Sequence, residues 1–140
     1  MALQVGDKAP GFSLASSTGQ EISLAGQLGK KVVLYFYPKD DTPGCTKEAC
    51  GFRDLNKDIA EAGAVVLGVS ADGIASHDRF IRKFDLNFPL LADEERTAAN
   101  AYGSWGEKEV RGKTVIGMIR KTFLIDEAGH IQKMLPPIHI

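Results

Sequence analysis

Val32-Val-Leu-Tyr-Phe-Tyr37-Pro-Lys-Asp-Asp-Thr-Pro-Gly-Cys45-Thr-Lys-Glu-Ala-Cys50 is the stretch that decides the fold of this 140-residue chain. Its first six residues are β-branched, aromatic or leucine, with no polar alternation, the pattern of a strand buried on both faces of a sheet. Pro38 ends that strand. Thr42 suits a helix N-cap and Pro43 the first helical position. The helix is predicted over Pro43 to Ala62: Phe52, Leu55, Ile59 and Ala62 recur at helical spacing, and Gly63 stops it.

Working outward, Ala64-Val-Val-Leu-Gly-Val-Ser70 reads as a second buried strand. Ile74, Ile81 and Phe84 predict a helix over about 74–84. Phe88 to Ala92 reads as a short strand, and Glu94 to Tyr102 as a short helix closed by Gly103. Thr114–Met118 and Thr122–Asp126 are β-type. The second of these is expected to pair antiparallel with Ile131–Leu135 across the turn Glu127-Ala-Gly-His130. Before the central run, Gly11–Leu14 and Glu21–Leu24 flank a hairpin turn at Ser16–Gln20. Strands alternating with helices predict an α/β fold, a mixed central sheet flanked by helices. No repeat or linker interrupts the chain, so residues 1–140 are expected to form one domain.

Composition narrows the function. A formal net charge of -1, with acids and bases interspersed, argues against binding nucleic acid or a membrane surface through charge. No apolar run approaches a membrane span, and the N-terminus lacks a basic region followed by an apolar stretch. The expected location is the cytoplasm, where two cysteines five residues apart read as reactive rather than structural.

Cys45 is predicted to stand in the first turn of the helix. Backbone N–H groups there have no helical partner, and with the helix dipole they stabilise an anion, here a thiolate. Gly44 leaves room for a small oxidant to approach the backbone. The Thr42 hydroxyl can both donate and accept, as a bound peroxide requires. In a regular helix Cys45 and Cys50 have Cα atoms roughly 8–9 Å apart, whereas a disulfide needs about 7 Å or less. Either Cys50 is a bystander or disulfide formation unwinds the first turns. Gly51 makes that melting easier by about 1 kcal/mol relative to alanine.

With these residues in view, the chain resembles the peroxiredoxins, and among them the bacterioferritin comigratory protein or peroxiredoxin Q group. The resemblance rests on Phe36-Tyr-Pro-Lys-Asp-Asp-Thr-Pro-Gly-Cys45 with Thr46-Lys-Glu-Ala-Cys50. It continues through Gly6–Pro10, Gly68-Val-Ser70, Phe88–Asp93, Tyr102-Gly103, Trp105–Lys108 and Gly117–Asp126, nearly the whole chain. It implies a thioredoxin-like fold and thiol-dependent reduction of hydrogen peroxide and organic hydroperoxides. By position, Cys45 resembles the peroxidatic cysteine, which becomes a sulfenic acid. Pro38, Thr42, Pro43 and Gly44 match the loop that carries it. Arg120 matches the family's active-site arginine and Cys50 the resolving cysteine of an intramolecular disulfide. The resemblance further implies recycling by a thioredoxin-type reductant, no metal or bound cofactor, and a monomer or weak homodimer.

Two departures stand out. Gly11 replaces the family's usual Asp. The family also continues past the last strand into a helix that covers the sheet, whereas Met134-Leu-Pro-Pro-Ile-His-Ile140 is not a helix sequence. The expectation is a missing C-terminal helix and an uncovered apolar face. Among the remaining polar residues, Arg53 reads as a solvated helix residue and Trp105 as a rim or packing residue. Glu48 reads as a carboxylate of the first helical turns rather than an orienter of Arg120 or Arg53. His77, His130 and His139 fall in polar or turn contexts, without ligand spacing for a metal. Two rival functions remain: a general thiol–disulfide oxidoreductase, whose cysteines are commonly two residues apart rather than four, and a redox-sensing interaction module.

Overall fold

The computed structural model describes residues 3–135. A seven-stranded mixed sheet runs β2-β1-β5-β4-β3-β8-β9. Its strands are β1 Ser13–Ser16, β2 Glu21–Ser23, β3 Lys31–Phe36, β4 Ala64–Ser70, β5 Leu90–Ala92, β8 Lys121–Ile125 and β9 Ile131–Leu135. Three helices are α1 Pro43–Glu61, α2 Ile74–Phe84 and α3 Thr97–Ala101. β3 pairs parallel with β4 and antiparallel with β8, and β8–β9 is the expected antiparallel hairpin. The architecture is the α/β mixed sheet with flanking helices that the sequence predicts.

β3 explains why the central run is apolar without alternation. Val32, Leu34 and Phe36 face a core shared with Tyr102, Phe123 and Ile125. Tyr35 and Tyr37 face the other side, where α1 contributes Cys45, Ala49 and Phe52. Tyr35 stacks on Phe52 at 4.6 Å between ring centroids. A side chain at Gly68 on β4 would meet the Tyr35 ring at 2.9 Å, so glycine there makes the space that lets the tyrosine lie under α1. Burying Phe52 in this stack contributes on the order of 2–3 kcal/mol. Gly63, at φ +82°, gives α1 its left-handed exit.

Three elements differ from expectation. The strand from Phe88 shortens to Leu90–Ala92, because Pro89 has no N–H for a ladder. The helix from Glu94 shortens to Thr97–Ala101: Arg96 takes a left-handed conformation, and the Asp93 carboxylate accepts the N–H groups of Ala98 and Ala99. The unforeseen element is β6 Trp105–Val110, which pairs with β7 Lys113–Met118 as a separate two-stranded ribbon. Its turn uses positive φ at Arg111 and Gly112. Both its strands are largely exposed, so no buried face imposes a period-two pattern on Gly106-Glu-Lys-Glu109. Residues 136–140, most of the tail expected not to form the family's C-terminal helix, lie outside the described residues. Within the described part, Met134 and Leu135 of β9 are exposed.

Candidate active site

β3 carries the chain across the sheet and releases it at Pro38, which is half-buried at the strand exit. A turn through Lys39, Asp40 and Asp41 follows, with Asp41 in the left-handed region at φ 56°. Thr42 is extended at φ -105°, ψ 155°, and Pro43 begins α1 as expected. Thr42 holds the N-cap position with its backbone, and Thr46 N–H donates to its carbonyl at 2.8 Å. Its side chain makes no cap. The hydroxyl donates back to the Lys39 carbonyl at 2.9 Å, which keys the threonine to the preceding turn and leaves its lone pairs available to a ligand.

Cys45 sits in the first turn, almost fully buried. Arg120, between β7 and β8, brings its guanidinium to the sulfur: Nη2 donates to Cys45 Sγ at 3.2 Å. The other arm, Nη1, donates to Glu48 Oε1 at 2.6 Å. A helical turn separates Cys45 from Glu48, so one face of α1 presents both groups to one arginine. Gly44 lies beside the guanidinium: a Cβ there would sit 3.4 Å from Arg120 Nη2, in ordinary van der Waals contact.

Glu48 is therefore the orienter of Arg120, contrary to its sequence reading. It is 1% exposed, and its second oxygen, Oε2, has no partner among the described residues. Burial pushes its carboxyl up, and the Arg120 charge and hydrogen bond pull only part of that back. Burial works against the guanidinium charge too, but the contacts with Cys45 and Glu48 outweigh it and hold Arg120 charged. The signal for Glu48 is its place three residues after the helix-start cysteine.

Cys50 lies further along α1, half-buried, and both thiols are free. Arg53 turns away from the site: it donates to the Phe84 carbonyl at 2.6 Å and pairs with Asp54. His77, read as lying in a polar or turn context, has polar partners but also a burial that the sequence did not reveal. It is fully buried and meets Asp40, Tyr37 and the Leu91 carbonyl. Its signal is periodic, since 77, 80, 81 and 84 share one helical face.

Residues 5–134 match the family model described as AhpC/TSA family. A putative peroxiredoxin bcp of Coxiella burnetii is 49% identical over 140 residues, covering 100% of this chain and 93% of that protein. Peroxiredoxin Bcp of Bacillus subtilis is 46% identical over 133 residues, 95% of this chain and 85% of that protein. This chain belongs to the peroxiredoxins. Its relatives place it in the Bcp and peroxiredoxin Q group, whose members are thiol peroxidases. Among solved structures, a mutant of Xylella fastidiosa PrxQ superposes with TM-score 0.91 at 33% identity, covering 99% of this peroxiredoxin and 89% of that chain. The Xanthomonas campestris bacterioferritin comigratory protein superposes at 0.85 with 38% identity, covering 91% and 82%. These likenesses assign the thioredoxin-like peroxiredoxin fold to the sheet described above.

Proposed function

We propose that this peroxiredoxin reduces hydrogen peroxide and organic hydroperoxides through Cys45 as peroxidatic nucleophile and Cys50 as resolving thiol. The observation that carries the reading is the 3.2 Å contact from Arg120 Nη2 to Cys45 Sγ at a helix start. A guanidinium and unpaired first-turn N–H groups both favour the thiolate. The Cys45 thiolate attacks the terminal peroxide oxygen and the O–O bond breaks. Sulfur is oxidised to sulfenic acid, and the leaving oxygen departs as an alcohol or water after taking a proton. The Thr42 hydroxyl and Arg120 hold the peroxide oxygens during attack, while Pro38, Pro43 and Gly44 shape the loop around them.

Cys50 as thiolate then attacks the Cys45 sulfur, and hydroxide leaves as water once protonated. This step requires α1 to unwind at its start, because helix geometry keeps the two Cα atoms beyond disulfide reach. An external dithiol of the thioredoxin type reduces the disulfide by exchange and is itself oxidised. The cytoplasm, where such reductants are kept reduced, is the compartment this cycle suits. We read the chain as one catalytic domain, acting as a monomer or weak homodimer without a metal or cofactor.

The test is a peroxide-consumption assay with a thioredoxin and its reductase, run on wild type, Cys45→Ser and Cys50→Ser. Cys45→Ser should be inactive; a full rate would end the proposal. Cys50→Ser should complete one turnover and accumulate sulfenic acid at Cys45. Sustained turnover in that variant would assign the resolving role elsewhere.

A further inference from the structure

The buried cluster behind the cysteine loop has no place in the chemistry above. Asp40, in the turn between β3 and α1, is buried. Its backbone N–H donates to Asp72 Oδ2 at 2.8 Å, and Ser70 Oγ donates to the same oxygen at 2.8 Å. The Tyr37 hydroxyl donates to Asp40 Oδ1 at 2.6 Å, and Ser76 Oγ donates to Oδ2 at 2.8 Å. His77 Nδ1 lies 2.7 Å from that same Oδ2, and Nε2 lies 2.9 Å from the Leu91 carbonyl oxygen. One imidazole thus ties α2 to the turn after β3 and to β5.

A carbonyl oxygen offers only lone pairs, so Nε2 carries a hydrogen and donates it to Leu91. Burial opposes the charge of Asp40, but the hydrogen bonds from His77, Tyr37 and Ser76 outweigh burial and hold it below the usual carboxylate range. Nδ1 closes the cluster against that carboxylate at 2.7 Å. Asp72, beyond the Asp40 backbone, adds a second negative group on the same side.

We propose that His77 is a positioning residue for peroxide reduction, a buried imidazole that fixes, through Asp40, the turn on which Thr42 and Cys45 are set. The turn needs such an anchor. Asp41 takes a left-handed conformation, which costs a non-glycine residue on the order of 1 kcal/mol or more. Its one side-chain tie outward, to Lys83, is exposed. The Thr42 hydroxyl takes its direction from the Lys39 carbonyl, adjacent to Asp40. His77 touches neither sulfur nor peroxide; it acts by holding the frame from which Thr42 meets the substrate. The role rests on Cys45 being the peroxidatic sulfur.

The experiment compares wild type with His77→Gln and Asp40→Asn, alone and together. Cys45 oxidation by hydrogen peroxide is followed in single turnover, beside alkylation of Cys45 by iodoacetamide. Alkylation needs the thiolate but not the aim of Thr42. Each single variant should slow peroxide oxidation about tenfold while alkylation changes little. The double variant should be no slower than the singles, because the two residues act as a unit.

Equal losses in peroxide and alkylation rates would mark a merely structural role and overturn the proposal. So would additive effects. If His77→Gln fails to fold, Ser76→Ala, which removes one Asp40 donor and little volume, should show the same selective loss in smaller measure. Its absence there would also overturn the role. If peroxide leaves Cys45 of wild type unoxidised, the Cys45 reading falls and His77 with it. Normal wild-type oxidation with an unchanged His77→Gln rate removes His77 alone.

Discussion

The two ends of α1 are held by opposite means. Among the described residues, the front end, Pro43 to Cys50, has no side-chain cap and buries a carboxylate with one oxygen unpaired. The rear is tied to the exit of α2 by three hydrogen bonds. Arg53 Nη1 donates to the Phe84 carbonyl, Asn56 Nδ2 to the Asn87 carbonyl at 2.9 Å, and Asn87 Nδ2 to the Arg53 carbonyl at 3.2 Å. Gly51, a weak helix position, lies at the junction. The difference teaches where the helix gives way. The front is built for chemistry and unwinds only by giving up the burial of Cys45, Glu48 and Ala49 and the ties of the first two to Arg120; the exposed rear, tied to α2, anchors the segment that must survive. Local opening energies within one helix differ for reasons of this kind.

The largest expected effect comes from breaking the front. Arg120→Met removes the cation from Cys45 and leaves Glu48 buried without its partner. Peroxide reduction should fall by about a hundredfold or more, and stability by about 3 kcal/mol. Stopped-flow oxidation and urea unfolding read the two losses separately. Near-normal kinetics would show that the helix start alone activates the sulfur.

Phe52→Ala probes the layer beneath. It removes the ring stacked on Tyr35 and should cost about 3–5 kcal/mol of stability. Its effect on the Cys45 rate should be smaller than that of Arg120→Met.

The turn that feeds the helix should show itself in pH dependence. Native Asp40 holds its proton less tightly than an unfolded carboxylate. Its stabilising contribution is therefore complete above the unfolded value of about 3.9 and is lost as pH falls below it. Asp40→Asn should destabilise the protein clearly at pH 7 and less at pH 3, measured by chemical denaturation at both. Glu48 has the opposite sign, since its native carboxyl is raised. Glu48→Gln should thus lose less stability at pH 7 than the loss of an ion pair alone implies.

The smallest effects sharpen the boundary between the two ends. Gly51→Ala should stiffen the junction by about 1 kcal/mol, slowing Cys45–Cys50 bond formation about fivefold with the peroxide step unchanged. Asn87→Ala should loosen the rear by about 1 kcal/mol and speed hydrogen exchange at residues 53–57.

The parts legible in the sequence were those with a local cause. Val32–Tyr37 spelled a doubly buried strand because both its faces meet a core. Thr42-Pro43 marked the helix start because capping is local. Arg120 was legible only by resemblance: its place on Cys45 is a contact 75 positions away, which no spacing encodes. Glu48 was misread because a polar residue looks solvated until its buried partner is known, and the burial of His77 was hidden for the same reason. β6 left no pattern because neither face is buried, and the Thr42 hydroxyl took the Lys39 carbonyl instead of the cap its residue type favours.

Hydrogen exchange across α1, in the reduced protein and after one equivalent of peroxide, tests the claim that one helix serves both steps most directly. Protection at residues 46–51, where the helical hydrogen bonds begin, should be present in the reduced state and lost once the Cys45–Cys50 disulfide has formed, while residues 53–61 stay protected. A disulfide-bonded protein with its front turns still protected, or one that loses protection along all of α1, would contradict it.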